Sequence, residues 1–165
     1  MLKLKPFRET PGLCGPASLK MVMDYYGVSV SEAEIAKIAG ATKEKGTSIN
    51  GLIKAAKHFG FRAFFKKNSS LDDLNYFMKR KIPVIVDWFF EDDGHYSVVV
   101  DVDKDNVILM DPALRKLLIY IRRRKFSKET FLRIWFDFPG KIIEKPKDLV
   151  LRLMLVATPK GVGRK

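Results

Sequence analysis

The sequence predicts an α+β domain, with helices gathered in the first 80 residues and an antiparallel sheet in the remainder. Three observations predict it. Apolar residues recur at helical spacing between marked ends in the N-terminal half. Two runs, PVIVDWFF (83–90) and YSVVVDV (96–102), are rich in β-branched and aromatic residues. Asp103 to Asn106 then supplies turn chemistry before VILM (107–110), the pattern of a hairpin.

Taken in order, the first helix is expected over Gly15 to Tyr26, with Leu19, Val22, Met23 and Tyr26 as its apolar stripe. Pro16 suits its first turn and Gly27 the position just past its end. Ser31 and Glu34 have capping-box spacing and open a second helix that stops at Gly40. A third helix runs from about Ser48 to Phe59 before Gly60, and a fourth from Leu71 to Lys79 with Ser70 as N-cap. Phe61 to Lys67 reads as a short strand. Leu117 to Arg122 reads as another, Ser127 to Phe136 as an amphipathic helix, and Leu149 to Ala157 as the strand that closes the sheet.

The 165 residues fit one domain over 1–158, with 159–165 as a flexible tail. Composition is globular, 47% apolar and 30% charged, which excludes a disordered chain. No apolar run reaches the roughly 18 residues of a membrane span, and MLKLKPFRETPG lacks the apolar stretch of a signal peptide. A soluble, cytoplasmic protein is the expectation. A single cysteine excludes an internal disulfide and a cysteine-rich zinc site. No metal and no cofactor is implied. The net charge of +12 admits nucleic acid, an anionic membrane or an acidic peptide as partners, or a plain lysine-rich surface.

The chemistry centres on Cys14 in PGLCGPASLK. Pro11 and Gly12 make a turn and Gly15-Pro16 open the helix, so the thiol sits at a helix N-terminus. Unpaired N–H groups and the dipole there favour a thiolate and can hold an oxyanion. A thiolate nucleophile needs a base, usually histidine, and the histidine an orienting group. The chain has two histidines. His58, late in the third helix, reads as a surface or capping residue. His95 follows Glu91-Asp92-Asp93-Gly94 and starts a strand at a cleft edge.

Hairpin register ties His95 to an acid. A three-residue loop, Asp103 to Asp105, pairs Val102 with Asn106 and Ser97 with Asp111. His95 shares a face with Ser97, because side chains alternate. Asp111 is then its diagonal neighbour at about 7–8 Å between backbones. A slip of one residue puts Asp111 on the opposite face. Its other reading is a turn residue before Pro112.

CGPASLKMVMDYYG, the later KGTS at Lys45 to Ser48, and GHYSVVVDVDKDNVILMDP together resemble the bacteriocin-processing peptidases. These are papain-like cysteine peptidases that remove double-glycine leader peptides, often as the N-terminal domain of an export transporter. FLRIWFD extends the resemblance weakly, so it spans most of the chain. It implies Cys14 as nucleophile, His95 as general acid and base, and Asp111 as its orienter. It also implies a papain-like fold, a helical lobe packed on a sheet lobe with the cleft between.

The chain departs from that pattern at one place. The family has a glutamine five or six residues before the cysteine, donating to the oxyanion; here those positions hold Glu9 and Arg8, and the chain contains no glutamine. A carboxylate accepts and cannot donate unless protonated. Arg8 can donate if it points into the cleft, and the Cys14 backbone N–H remains.

The expected activity is therefore peptide-bond cleavage by acyl transfer on a peptide or protein substrate. A separately encoded transporter is a candidate partner, since no transporter segments are present in this chain. The alternatives are a peptide-binding module that keeps the cleft without catalysis and, on charge alone, nucleic-acid binding. RRRK (122–125) reads mainly as a solvated strand end, and Glu91 to Asp93 as a solvated turn rather than a cation site. Trp88, Phe89 and Phe90 divide between strand core and groove lining.

Overall fold

The computed structural model describes residues 1–113 and 123–161. Three helices come first: α1 (Cys14–Tyr25), α2 (Glu32–Ala39) and α3 (Ile49–His58). The serine caps act as the sequence implies. Ser31 accepts from the Glu34 N–H while Glu34 bonds back to the Ser31 backbone, and Gly40 ends α2 in the left-handed region. Ser48 caps α3 by accepting from the Gly51 N–H. Beyond α3 come β1 (Phe61–Lys66) and α4 (Leu71–Lys79), the latter closed by a full capping box between Ser70 and Asp73.

The remaining strands are β2 (Val84–Phe90), β3 (Asp93–Val102), β4 (Asn106–Met110) and β5 (Arg123–Ser127). After them follow α5 (Lys128–Ile134), β6 (Phe136–Asp137), a 3₁₀ turn at Pro146–Asp148, β7 (Val150–Leu151) and β8 (Leu153–Pro159). Six strands form one antiparallel sheet in the order β1-β8-β2-β3-β4-β5, and β6 pairs with β7 in a separate ribbon.

α1 carries more than the expected stripe. Residues 15 to 19 and 21 to 23 are all buried, while Tyr26 is half-buried. The helix is wrapped by α2 and α3 on one side and β3 on the other. A helix apolar on most faces is a central helix, and its N-terminus is fixed by everything around it. The core continues through Ile35, Leu52, Val84 to Val86, Val98 to Val100, Leu109 and Trp135.

Two expectations are corrected. The stretch Leu149 to Ala157 is two strands rather than one. Arg152 takes φ +47°, its N–H bonds to the Trp135 carbonyl, and the chain turns from the small ribbon into the main sheet. Pro159 lies in β8, paired with Phe61. The strand expected over Leu117 to Arg122 lies outside the described residues, as do residues 162–165 of the expected tail. Among the described residues, no helix is long and apolar enough to cross a membrane.

Candidate active site

Cys14 is the first residue of α1, and Leu13 before it offers no side-chain cap. The first turn contains no acidic residue, so its N–H groups face outward uncompensated. The approach to the helix is rigid. Gly12 has φ +82°, and a Cβ there would meet the Lys43 carbonyl oxygen at 2.4 Å, so only glycine allows this close backbone crossing. The Thr10 N–H and hydroxyl both donate to the buried Glu32 carboxylate, at 2.9 and 2.7 Å. KGTS has a packing role too: Thr47 lies 3.1 Å from where a Gly15 Cβ would stand, seating the α3 entry on the α1 N-terminus.

His95 and Asp111 come from β3 and the end of β4. The turn holds four residues rather than three, since Val102 pairs with Val107 and Asp101 with Ile108. That register alone would set Asp111 opposite Val98, on the wrong face. A bulge at Val100 restores it: beyond the bulge Val99 pairs with Leu109 and Val98 with Met110. His95 Nε2 lies 2.6 Å from Asp111 Oδ1.

Asp111 is fully buried and held by three donors. Besides His95, the Ala113 N–H donates to Oδ1 at 2.9 Å and the Arg124 side chain donates to Oδ2. Burial pushes the Asp111 carboxyl up, but the His95 bond and charge, with these donors, hold it below the ordinary carboxylate range. For His95, burial pulls the imidazolium down. The hydrogen bonds to Asp111 and Cys14, with the charges of both, outweigh it and push the pKa up to about 10. With Nε2 committed to Asp111, Nδ1 is the nitrogen left for Cys14.

Arg124 is the residue that the sequence reading missed. RRRK was read as a solvated end, but β5 alternates, so Arg123 and Lys125 are exposed while Arg124 turns inward. Its guanidinium lies 4.3 Å from the Phe90 ring centre and reaches Asp111. The alternation in RRRKF was the available signal. What it lacked was knowledge that β5 pairs with β4, whose last residue precedes Asp111.

Glu9 stands where the glutamine was expected. Its N–H bonds to the Pro112 carbonyl at 3.1 Å, placing the side chain in the cleft. Its carboxylate, the Cys14 Sγ and a His95 ring nitrogen lie within 4.8 Å of one another. Oε2 is buried without a hydrogen-bond partner. Arg8 is exposed and lines the mouth of the cleft. These three groups could together hold a metal ion only with a His95 nitrogen unprotonated.

Residues 10–138 match the Peptidase C39 family. The chain belongs to the peptidase C39 family. An uncharacterized protein of Methanothermobacter thermautotrophicus is 38% identical over 137 residues, covering 82% of this chain and 84% of its own. The pediocin PA-1 transport/processing ATP-binding protein of Pediococcus acidilactici is 33% identical over 74% of this chain, which spans 16% of that protein. Among solved structures, the peptidase domain of Streptococcus ComA, a bi-functional ABC transporter, superposes with a TM-score of 0.72 at 27% identity. That match covers 97% of this chain and all of the domain. The papain-like architecture is thereby shown.

Around the centre of this C39 family member, Trp88 is core, donating to the buried Ser97 hydroxyl at 3.0 Å with its ring 5.6 Å from that of His95. Phe90 lines the cleft, and Phe89 stacks on Phe136 and Phe138 instead. His58 is the exposed last residue of α3. Glu91 to Asp93 sit at the β2–β3 turn on the cleft rim. Deeper in lies a carboxyl pair. Asp87 is buried, and its Oδ1 meets no N–H or O–H donor; it bonds to Asp137 only when one carboxyl holds a proton. Burial, then the Asp137 charge, pushes Asp87 well above the ordinary range.

Proposed function

We propose that the protein is a cysteine peptidase that cleaves peptide bonds by acyl transfer through Cys14. The observation that carries the reading is a single line of groups: a His95 ring nitrogen lies within 4.8 Å of the Cys14 Sγ, and His95 bonds to buried Asp111 on its other side, at an uncapped helix N-terminus. The Cys14 thiolate attacks the substrate carbonyl carbon, and the C=O electrons move to oxygen. The Cys14 backbone N–H donates to that oxyanion. As the C–N bond breaks, the His95 imidazolium gives its proton to the leaving amine. His95 then takes a proton from water, the hydroxide attacks the thioester, and the thiolate departs. Asp111 keeps the ring oriented and stabilises its charged form throughout.

Family membership and the likeness to transport and processing proteins support peptides with a double-glycine leader as the substrate class. They support an export transporter as a partner. Peptide holding without cleavage is the second reading, and Glu9 is the observation that favours it. The inward turn of Arg124 weakens the case for nucleic acid, because the basic run offers fewer free cations than its composition implies.

Alkylation of Cys14, the single thiol, tests the reading. At pH 6, where a free thiol of pKa about 8.5 is almost wholly protonated, the wild type is expected to alkylate readily and His95→Ala about tenfold more slowly. Cleavage of a synthetic Gly-Gly leader peptide, abolished by Cys14→Ala, completes it. A thiol that behaves as an ordinary one and ignores His95 sinks the peptidase reading.

A further inference from the structure

The peptidase reading leaves one group in the site without a task. Glu9 has a buried, unpartnered Oε2, and its carboxyl group brings an oxygen within 4.8 Å of both the nucleophile and its base. The side chain is not adventitiously placed. Its backbone is pinned to Pro112, and its neighbour Thr10 is tied twice to Glu32, so the carboxyl is presented to the space beside Cys14 by α2 and by the end of β4. A catalytic centre that develops negative charge on oxygen cannot tolerate a carboxylate there. A neutral carboxylic acid, however, carries one O–H donor and is nearly isosteric with an amide.

We propose that Glu9, in its neutral acid form, donates the second hydrogen bond to the oxyanion, which makes peptide cleavage by this protein an acid-favoured reaction. No proton changes owner in this step: the O–H of Glu9 and the N–H of Cys14 both point at the oxygen that gains the carbonyl electrons. The inference rests on the peptidase reading.

The groups facing Glu9 act in both directions. Burial is the largest influence and raises its pKa; the His95 charge lowers it, while Asp111 and Glu32 raise it. Arg8, Lys43 and Lys45 at the cleft mouth are exposed to water, which screens their pull on the acid. His95 keeps its proton over the same range, to about pH 10. Acidity of the medium therefore governs Glu9 separately from His95.

Two pH profiles on the intact chain separate the possibilities: kcat/KM for a synthetic Gly-Gly leader peptide, and the alkylation rate of Cys14. For the wild type, kcat/KM is expected to fall as pH rises from 4 to 8 while alkylation does not. Glu9→Gln should lose that fall and cleave about 10²-fold faster than the wild type at pH 8, the effect of restoring one oxyanion donor. Glu9→Ala should be slow at every pH. Wild type and Glu9→Gln cleaving with the same pH profile would overturn this inference and leave the peptidase reading standing. Cleavage by neither, at any pH, overturns both, and an alkylation profile that still responds to His95→Ala would then favour the peptide-holding alternative.

Discussion

His95 and Asp111 are hydrogen-bonded at 2.6 Å although the turn between their strands is one residue too long for them to share a face. The bulge at Val100 absorbs the extra residue. Its carbonyl is not wasted, since it accepts the Leu2 N–H at 2.7 Å and ties the N-terminal segment to β3. The pairing on which the proposed chemistry depends is thus set by a local irregularity.

That pairing makes stability depend on alkaline pH. His95 binds its proton to about pH 10 when folded, but only to about 6.5 when unfolded. Its stabilisation is complete below pH 6.5 and is lost as pH rises through 10, at about 1.4 kcal/mol per pKa unit. Urea unfolding at pH 6 and pH 10 is expected to show this loss in the wild type. His95→Ala should flatten it.

Asp111→Ala leaves His95 and Arg124 without their shared partner. Breaking one member of a buried ion pair costs roughly 3–5 kcal/mol, and denaturant midpoints measure it directly. Asp111→Asn keeps the volume and should fold better. It is expected to lose cleavage of the leader peptide by at least ~10²-fold, because an amide cannot stabilise the imidazolium charge.

Arg124 bonds to Asp111, and a positioning role is the expected consequence. Losing a charge-assisted hydrogen bond of about 1.5–3 kcal/mol should lower kcat roughly 10-fold or more in Arg124→Ala, with KM little changed. Arg124→Lys should recover part of it. Equal loss in both variants, or an effect confined to KM, would assign Arg124 to substrate binding instead.

At Asp87 a substitution is expected to stabilise rather than destabilise. Its folded pKa lies above the unfolded value near 3.8, so the folded state holds an extra proton and loses stability as pH rises. Asp87→Asn removes that penalty and still donates to Asp137. The variant should gain on the wild type in urea midpoint at pH 8, with the gain gone by pH 3.5.

The parts of this protein that its sequence determined are local. Ser31, Ser48 and Ser70 announce helix starts because a capping oxygen and its N–H partner lie three residues apart. Cys14 announces itself because a Pro-Gly turn and Gly15-Pro16 bracket it, and period-2 alternation put His95 on a face that Asp111 could share. Even there, the three-residue loop was a residue short, and the expected facing held only because the bulge compensated. The tertiary structure decided what depends on distant segments. Arg124 looked like one of four surface cations until β5 was laid against β4. Glu9 was a departure from the expected glutamine whose place was unknown until the Pro112 contact set its carboxyl beside Cys14 and His95. Burial and cross-strand pairing are properties of segments far apart in the chain, and they set both the partner of a charge and the form in which it is held.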